Sequence, residues 1–135
     1  LNSEKSKSLN ENPVASMCFY WKSIFRQIRI TGKVLLVSDE IADEYYSSRP
    51  YDSKIGAWAS NQSKVLNNRK ELINLIENYK NKYSDTKNVP RPKHWSGWKL
   101  KPDLIEFWLE GENRIHDRLK YIKKENKWKK ILLSP

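Results

Sequence analysis

The residues best suited to chemistry lie in one short stretch, Arg114-Ile115-His116-Asp117-Arg118. If this stretch is a β-strand, alternate side chains point to opposite faces, so Arg114, His116 and Arg118 share one face. Three potential cations on one face would not be buried without partners. The pattern therefore indicates a site for an anion or a charged cofactor.

The same stretch also has a purely structural interpretation, in which its charges form cross-strand pairs. It requires Gly111-Glu112-Asn113 to be a three-residue hairpin loop. The pairs predicted by this loop are Glu110 with Arg114, Trp108 with His116, and Glu106 with Arg118. Charge pairs on a solvated face contribute under about 1 kcal/mol each. An indole beside an imidazole fits the wall of a planar ligand better, and the pattern alone leaves both interpretations open.

A second candidate lies around Arg49, in the segment Ser48-Arg49-Pro50-Tyr51-Asp52-Ser53. An arginine at the end of a helix and a serine in the following loop can hold a phosphate through a guanidinium fork and a hydroxyl. Both residue types are common in loops, so this segment alone does not identify a site.

Hydrophobic periodicity predicts the elements that position these residues. Val14–Trp21 reads as a strand buried on both sides, and Ile24–Val37 as a long strand with a bulge or bend at Gly32. Within the second strand, Gln27 is a candidate inward polar group or an ordinary cross-strand hydrogen-bonding residue.

Helices are predicted before Pro13, from Ser38 to Ser48, and over about Asn68–Ser84. The last third reads as a meander with segments at Trp98–Leu100, Asp103–Glu110, Arg114–Lys124 and Trp128–Leu133. Strands at both ends with helices between them indicate an α+β domain built on an antiparallel sheet or barrel.

Composition limits the class of protein. The 135 residues suit a single domain, and 16 aromatic residues argue against wholesale disorder. No apolar run approaches the roughly 20 residues of a membrane helix. Cys18 stands alone, and His94 and His116 lack ligand spacing, so neither a disulfide nor a metal site is expected. No secretory signal segment is visible, so we expect a cytoplasmic protein. Because the chain starts with leucine rather than methionine, we also expect that its N-terminus is missing.

The net charge of +10 includes six lysines between Lys120 and Lys130. Such a run could follow a nucleic-acid backbone, and this supports an alternative function as a non-catalytic module that binds nucleic acid or another polyanion. We prefer the interpretation as a solvated hairpin edge, because lysines protect exposed strand edges from pairing.

Five motifs in order resemble the pyridoxamine/pyridoxine 5'-phosphate oxidase family, FMN enzymes that make pyridoxal 5'-phosphate. The motifs are Ser48-Arg49-Pro50 with Asp52-Ser53, Ile55-Gly56-Ala57-Trp58, Gln62-Ser63, Ile105-Glu106-Phe107-Trp108 and Arg114-Ile115-His116-Asp117-Arg118. The resemblance runs from about Ser3 to Pro135. It implies an α+β fold, an antiparallel split β-barrel of the FMN-binding type with flanking helices, as one domain over residues 1–135. It also implies a homodimer with the flavin site at the subunit interface.

The resemblance assigns roles that the pattern alone does not. FMN would be contacted by Lys5, Gln27, Gln62, Ser63, Trp108 and Arg118, with Ser3 near its phosphate. The substrate's phosphate would be held by Tyr45, Arg49 and Ser53. Arg114 and His116 would lie over the pyridine ring as the catalytic pair.

The chain departs from the family at three places. Glu4 stands where the family has arginine near the flavin phosphate, and a carboxylate there repels phosphate. Leu132 stands where the family often has arginine. The family's upstream strands, which carry further phosphate contacts and a substrate-binding lysine, are absent, so the chain is either a fragment or a half-barrel. An inactive family member is therefore a further alternative.

Overall fold

The computed structural model describes residues Leu1–Pro135. The helices are α1 (Glu4–Glu11), α2 (Asp39–Ser47), α3 (Tyr51–Ala59) and α4 (Arg69–Lys82). The strands are β1 (Val14–Trp21), β2 (Arg26–Leu36), β3 (Trp98–Leu109), β4 (Asp117–Lys124) and β5 (Lys127–Leu133). None of the helices is long and apolar enough to cross a membrane.

The chain forms two compact units. The helical unit comprises Leu1–Glu11 and Leu36–Trp98, and the sheet unit comprises Asn12–Leu35 and Lys99–Pro135. The expectation that residues 1–135 form one domain stays a prediction.

The sheet has the strand order β1-β2-β3-β4-β5, and the pairs β1–β2, β3–β4 and β4–β5 are antiparallel. Strand β1 has the predicted bounds, but the prediction that it is buried on both sides is wrong. Phe19 and Trp21 are 40% and 44% exposed. The reason is topological: β1 lies at the edge of the sheet and pairs only with β2.

Strand β2 begins later than predicted and has no bulge in its pairing with β1. Ile24 lies in a 3₁₀ turn, and Phe25 has a φ of 50°, so the strand starts at Arg26. The pairing with β1 runs through Gly32 without interruption. Glycine is required there because a Cβ atom would lie 2.0 Å from the carbonyl oxygen of Lys101. Gly32 thus permits close backbone approach, a second common use of glycine in strands.

The helical unit contains one helix that the sequence did not predict. Residues 51–59 form α3, which begins after Pro50, whereas the sequence interpretation placed Ser53 in a loop. Ile55 and Ala59 of α3 are buried together with Ala42 and Tyr46 of α2. Burial raises the pKa of the Tyr46 phenol, which donates a hydrogen bond of 3.1 Å to the carbonyl oxygen of Lys54. The helix predicted over Asn68–Ser84 is confirmed as α4, with the Asn68 side chain accepting a hydrogen bond from the backbone N–H of Glu71.

The β3–β4 hairpin differs from the predicted one by a shift of two residues. Trp108 lies opposite Arg118, and Glu106 lies opposite Lys120. The predicted three-residue loop is wrong, because a 3₁₀ turn at Glu112–Arg114 extends the connection to residue 116. The β4–β5 connection, in contrast, is a tight turn in which Glu125 and Asn126 have positive φ values. The lysine run therefore lies on a hairpin whose last strand is an edge of the sheet.

Candidate functional site

The strongest charge cluster of the sheet unit is centred on Glu106. Its carboxylate accepts hydrogen bonds of 2.9 and 2.8 Å from Nε and Nη2 of Arg118, and one of 3.1 Å from Nη2 of Arg29. The Glu106 side chain is only 7% exposed, while those of Arg118 and Arg29 are 29% and 53% exposed. A buried carboxylate between two arginines is fully paired, and the cluster keeps a net charge of +1 toward solvent.

Arg118 is held in one orientation by this cluster. Besides its two bonds to Glu106, its Nη1 donates to the carbonyl oxygen of Ser134 at 3.0 Å. The predicted contact between Glu106 and Arg118 is therefore present, although the two residues are diagonal rather than opposite neighbours in the sheet. Arg29, which reaches the same carboxylate from β2, was not singled out from the sequence.

Trp108 and His116 lie next to each other in the sheet unit, with ring centroids 4.7 Å apart. The backbone N–H of Gly111 donates to Nδ1 of His116 at 3.3 Å. Because Nδ1 accepts this bond, the remaining proton of a neutral imidazole lies on Nε2. His116 thus offers a hydrogen-bond donor next to an aromatic ring.

Arg114 does not share a strand face with His116 and Arg118, so that prediction is wrong. Strand β4 begins at Asp117, and Arg114 lies in the preceding turn with a φ of 67°. Alternation applies only to extended backbone, and it therefore fails for Arg114. Arg114 is an exposed loop residue.

The helical unit contains a separate cluster at the end of α2. The indole of Trp95 stacks on Tyr45 at 6.0 Å between ring centroids, and the Arg49 guanidinium carbon lies 5.4 Å from the indole centroid. Nε of Arg49 is buried without a hydrogen-bond partner, and none of the ion pairs includes Arg49. A buried unpaired N–H on a charged group is a feature that a bound anion would satisfy.

Ser53, the third residue expected to hold the substrate's phosphate, lies in the first turn of α3 and is half-buried. The free backbone N–H groups and the dipole of a helix N-terminus favour anions. Two residues of this unit were missed by sequence reasoning, Trp95 and Arg91. Two sequence signals could have pointed to Arg91. It stands between two prolines, and Asp39 and Asp43 lie four residues apart, on the same face of one predicted helix, where they can share a cation.

The residues expected to contact FMN are divided between the two units. Ser3, Lys5, Gln62 and Ser63 belong to the helical unit, and Gln27, Trp108 and Arg118 belong to the sheet unit. Ser3 is buried and accepts a hydrogen bond from the backbone N–H of Ser6, whereas Lys5, Gln62 and Ser63 are exposed. Gln27 is half-buried on β2, opposite Tyr20.

Glu4, the first departure from the family pattern, is charged. A hydrogen bond from Lys7, at 2.8 Å, lowers the pKa of its carboxyl group. The ion pair offsets part of the repulsion that Glu4 would exert on a nearby phosphate.

Comparison with known proteins identifies the family that this chain resembles in sequence. Residues 1–108 match the family model described as pyridoxamine 5'-phosphate oxidase, and residues 95–135 match the pyridoxine 5'-phosphate oxidase C-terminal dimerisation region. The chain is 65% identical over its whole length to the pyridoxine/pyridoxamine 5'-phosphate oxidase of Pelagibacter ubique, and 45% identical to that of Rhodospirillum rubrum. It covers 65% of the first relative and 67% of the second.

Two solved structures resemble the chain in fold. PhzG from Burkholderia lata 383, in complex with tetrahydrophenazine-1-carboxylic acid, matches with a TM-score of 0.91 and 30% identity, over 99% of this chain and 65% of that one. A pyridoxamine 5'-phosphate oxidase-related, FMN-binding protein from Nostoc punctiforme matches with a TM-score of 0.74 over 99% of this chain and 69% of that one, at 14% identity. With the five-stranded antiparallel sheet and four helices, these likenesses confirm the predicted α+β fold of the split-barrel type. The sequence and family-model matches show that the chain belongs to the pyridoxamine 5'-phosphate oxidase family.

Proposed function

We propose that the protein is an FMN-dependent oxidase that converts pyridoxamine or pyridoxine 5'-phosphate to pyridoxal 5'-phosphate with O₂, in vitamin B6 metabolism. The environment of Arg49 is the observation that supports a phosphorylated substrate. No carboxylate pairs with this arginine, and its buried Nε lacks a hydrogen-bond partner. Tyr45 and Arg49 both pack against the indole of Trp95, and Ser53 lies in the first turn of the next helix. In this proposal, the three residues bind the substrate's phosphate.

The sheet unit supplies groups that fit a flavin. The cluster of Arg29, Glu106 and Arg118 is positively charged in sum, and the indole of Trp108 offers an aromatic surface next to it on β3. Arg118, Trp108, Gln27, Lys5, Ser3, Gln62 and Ser63 are the residues proposed to hold FMN. When bound, FMN supplies the two-electron redox chemistry, while the protein supplies binding and orientation.

The proposed roles of Arg114 and His116 concern the substrate ring. His116 presents its Nε2 proton as a hydrogen-bond donor, since Nδ1 is engaged by Gly111. Arg114, on the loop that precedes β4, adds a permanent positive charge that would orient the reacting group. Holding the reacting carbon of the bound substrate at the required distance lowers the entropic part of the activation free energy.

We also propose that the protein acts as a homodimer with the flavin site at the subunit interface. The match of residues 95–135 to a dimerisation region supports this proposal. The same region lines an open apolar groove of about 430 Å³, formed by Ile105, Phe107, Leu119, Tyr121 and Trp128.

The function is tested with the complete natural protein, purified and examined by flavin absorbance and by the formation of pyridoxal 5'-phosphate. We expect bound FMN and oxidation of pyridoxamine 5'-phosphate, with much weaker oxidation of unphosphorylated pyridoxamine. A protein that neither retains nor rebinds FMN would contradict the proposal. Bound FMN without turnover would instead indicate an inactive family member, and salt-sensitive binding to duplex DNA without flavin would indicate a polyanion-binding module.

A further inference from the structure

The indole of Trp95 packs against two of the side chains proposed to bind phosphate, Tyr45 and Arg49. Its ring centroid is 6.0 Å from that of Tyr45, at an interplanar angle of 24°, and 5.1 Å from that of Tyr46, edge to face. Arg49 covers the same indole at 5.4 Å. Building on the function proposed above, we propose that Trp95 is a positioning residue that holds Tyr45 and Arg49 for phosphate binding and so sets the preference for phosphorylated substrates.

The two side chains need such a support because α2 alone does not fix them. Tyr45 is 62% exposed, and Arg49 lies just beyond the last helical residue, after Ser48. A free arginine side chain loses rotamer entropy when it binds a ligand. The face of an indole attracts a guanidinium and restricts its orientations before the ligand arrives. Tyr46, which is only 2% exposed, forms the base on which the indole packs.

Arg91 fixes the backbone of Trp95. Its Nη1 donates to the carbonyl oxygen of Trp95 at 2.6 Å, its Nη2 to Asp39 at 2.6 Å, and its Nε to Asp43 at 2.5 Å. The Arg91 side chain is only 11% exposed, and the hydrogen bonds that it donates to the carboxylates of Asp43 and Asp39 raise the pKa of its guanidinium. Asp39 and Asp43 belong to α2, so the hydrogen bonds of Arg91 connect Trp95 to the helix that ends next to Arg49.

The same loop is also attached to α3, which carries Ser53. Nε1 of Trp58 donates to the carbonyl oxygen of Pro90 at 2.8 Å, and Nε2 of His94 lies 3.2 Å from the carbonyl oxygen of Ala57. The segment from Pro90 to Trp95 therefore connects the two helices that hold the proposed phosphate ligands.

The two arginines of this region differ in their charge balance. Two carboxylates pair with Arg91, whereas Arg49 has no carboxylate partner. Arg91 is therefore committed to the fold, and Arg49 keeps its charge for a ligand. Trp95 contacts both arginines in different ways: its backbone carbonyl accepts a hydrogen bond from Arg91, and its ring packs against Arg49.

The test compares Trp95→Leu and Trp95→Phe with the parent in the complete natural protein. Dissociation constants are measured by titration calorimetry for pyridoxal 5'-phosphate and for pyridoxal, together with kcat and KM for pyridoxamine 5'-phosphate. We expect Trp95→Leu to weaken binding of the phosphorylated compound roughly tenfold, to leave pyridoxal binding unchanged, and to raise KM with little change in kcat. Trp95→Phe, which keeps an aromatic face, should retain most of the phosphate preference.

Tyr79→Leu is the matched control. Tyr79 packs on Trp58 and Tyr83 in the same unit, so its loss removes a comparable aromatic contact without touching Arg49 or Tyr45. We expect this variant to keep the parent's preference for pyridoxal 5'-phosphate over pyridoxal. Arg91→Lys, which keeps the charge but cannot reach two carboxylates and a carbonyl together, should lower the preference as Trp95→Leu does.

Three results would overturn the inference in distinguishable ways. If the parent shows no preference for pyridoxal 5'-phosphate over pyridoxal, the proposed function fails and the role of Trp95 fails with it. If the parent shows the preference and Trp95→Leu keeps it, only the positioning role is wrong. Equal losses in Trp95→Leu and Tyr79→Leu would show that general destabilisation, not positioning, lowers phosphate binding.

Discussion

Arg49 in the helical unit and Arg118 in the sheet unit are both expected to bind anionic groups, yet their surroundings differ. Arg118 is bonded to Glu106 and to the carbonyl oxygen of Ser134. Arg49 lies over the indole of Trp95 and has no carboxylate partner. One guanidinium shares a carboxylate with Arg29 and is fixed by hydrogen bonds, and the other has no carboxylate partner and is supported by an aromatic ring.

The difference teaches that an arginine in a site can serve two purposes. A guanidinium that shares a carboxylate attracts a second anion less strongly, but it presents its remaining N–H groups in a fixed geometry. A guanidinium on an aromatic face keeps its charge, because the indole is neutral. We therefore expect Arg49 to bind a phosphate strongly and Arg118 to act mainly through oriented hydrogen bonds.

The largest effect is expected from Arg49→Ala. Removal of the unpaired charge should lower kcat/KM for pyridoxamine 5'-phosphate about 100-fold, equivalent to about 2.7 kcal/mol, through loss of charged hydrogen bonds to the phosphate. Steady-state kinetics and thermal unfolding of the complete natural protein check this. Arg69→Ala, at an exposed position that begins α4, is the control and should change neither quantity. A decrease of less than threefold for Arg49→Ala would contradict its assignment as the phosphate anchor.

A smaller effect is expected from Gly111→Ala, which tests how each region tolerates added atoms. A Cβ at Gly111 would lie 1.7 Å from the carbonyl oxygen of Ile115, so the loop before β4 must move and the bond from Gly111 to His116 must change. We expect a loss of about 2 kcal/mol of unfolding free energy together with reduced turnover. Gly56→Ala in α3 is the matched control, because nothing lies within 4 Å of its added Cβ, and alanine should stabilise the helix by about 0.5–1 kcal/mol. Chemical denaturation measures the unfolding free energy of both variants, and steady-state kinetics measures turnover. Equal unfolding free energies in the two variants would show that the loop is more adaptable than its geometry indicates.

The smallest effect is expected from Glu106→Gln, which makes Arg118 more like Arg49. The neutral amide leaves two guanidiniums without a counter-charge, and we expect a loss of about 1–1.5 kcal/mol of unfolding free energy. This is below the 3–5 kcal/mol typical of a broken fully buried pair, because both arginines reach solvent. The variant should also gain more thermal stability from added sulfate than the parent does, at equal ionic strength set with chloride. An unchanged response to sulfate would show that Glu106 does not control the charge offered by Arg118.

Sequence patterns predicted those parts of the fold that depend on neighbours along the chain. The strand bounds Val14–Trp21 and the helix that starts at the Asn68 cap agree with the structure, because strand propensity and capping act over a few residues. Helix α3 was missed, since Pro50 and the Ser-rich segment around it read as a loop. The shifted β3–β4 register followed from the left-handed φ values of Asn113 and Arg114, which no alternation pattern reveals.

The candidate site divides in the same way. Its residue types and their order along the chain were sufficient to identify the family and to name Arg49, Trp108, His116 and Arg118. The sequence could not show that Glu106 also binds Arg29, or that Trp95 supports Arg49, because these contacts join residues 77 and 46 positions apart.

The sequence by itself thus determined the family, the α+β fold class and the residues available for chemistry. Only the tertiary structure decided which arginine is paired with a carboxylate and which is not. The physical reason is that hydrogen bonding, burial and aromatic contact depend on distances in space. Arg49 and Arg118 are the same residue type in the sequence, and they differ only after folding has placed an indole under one and a carboxylate beside the other.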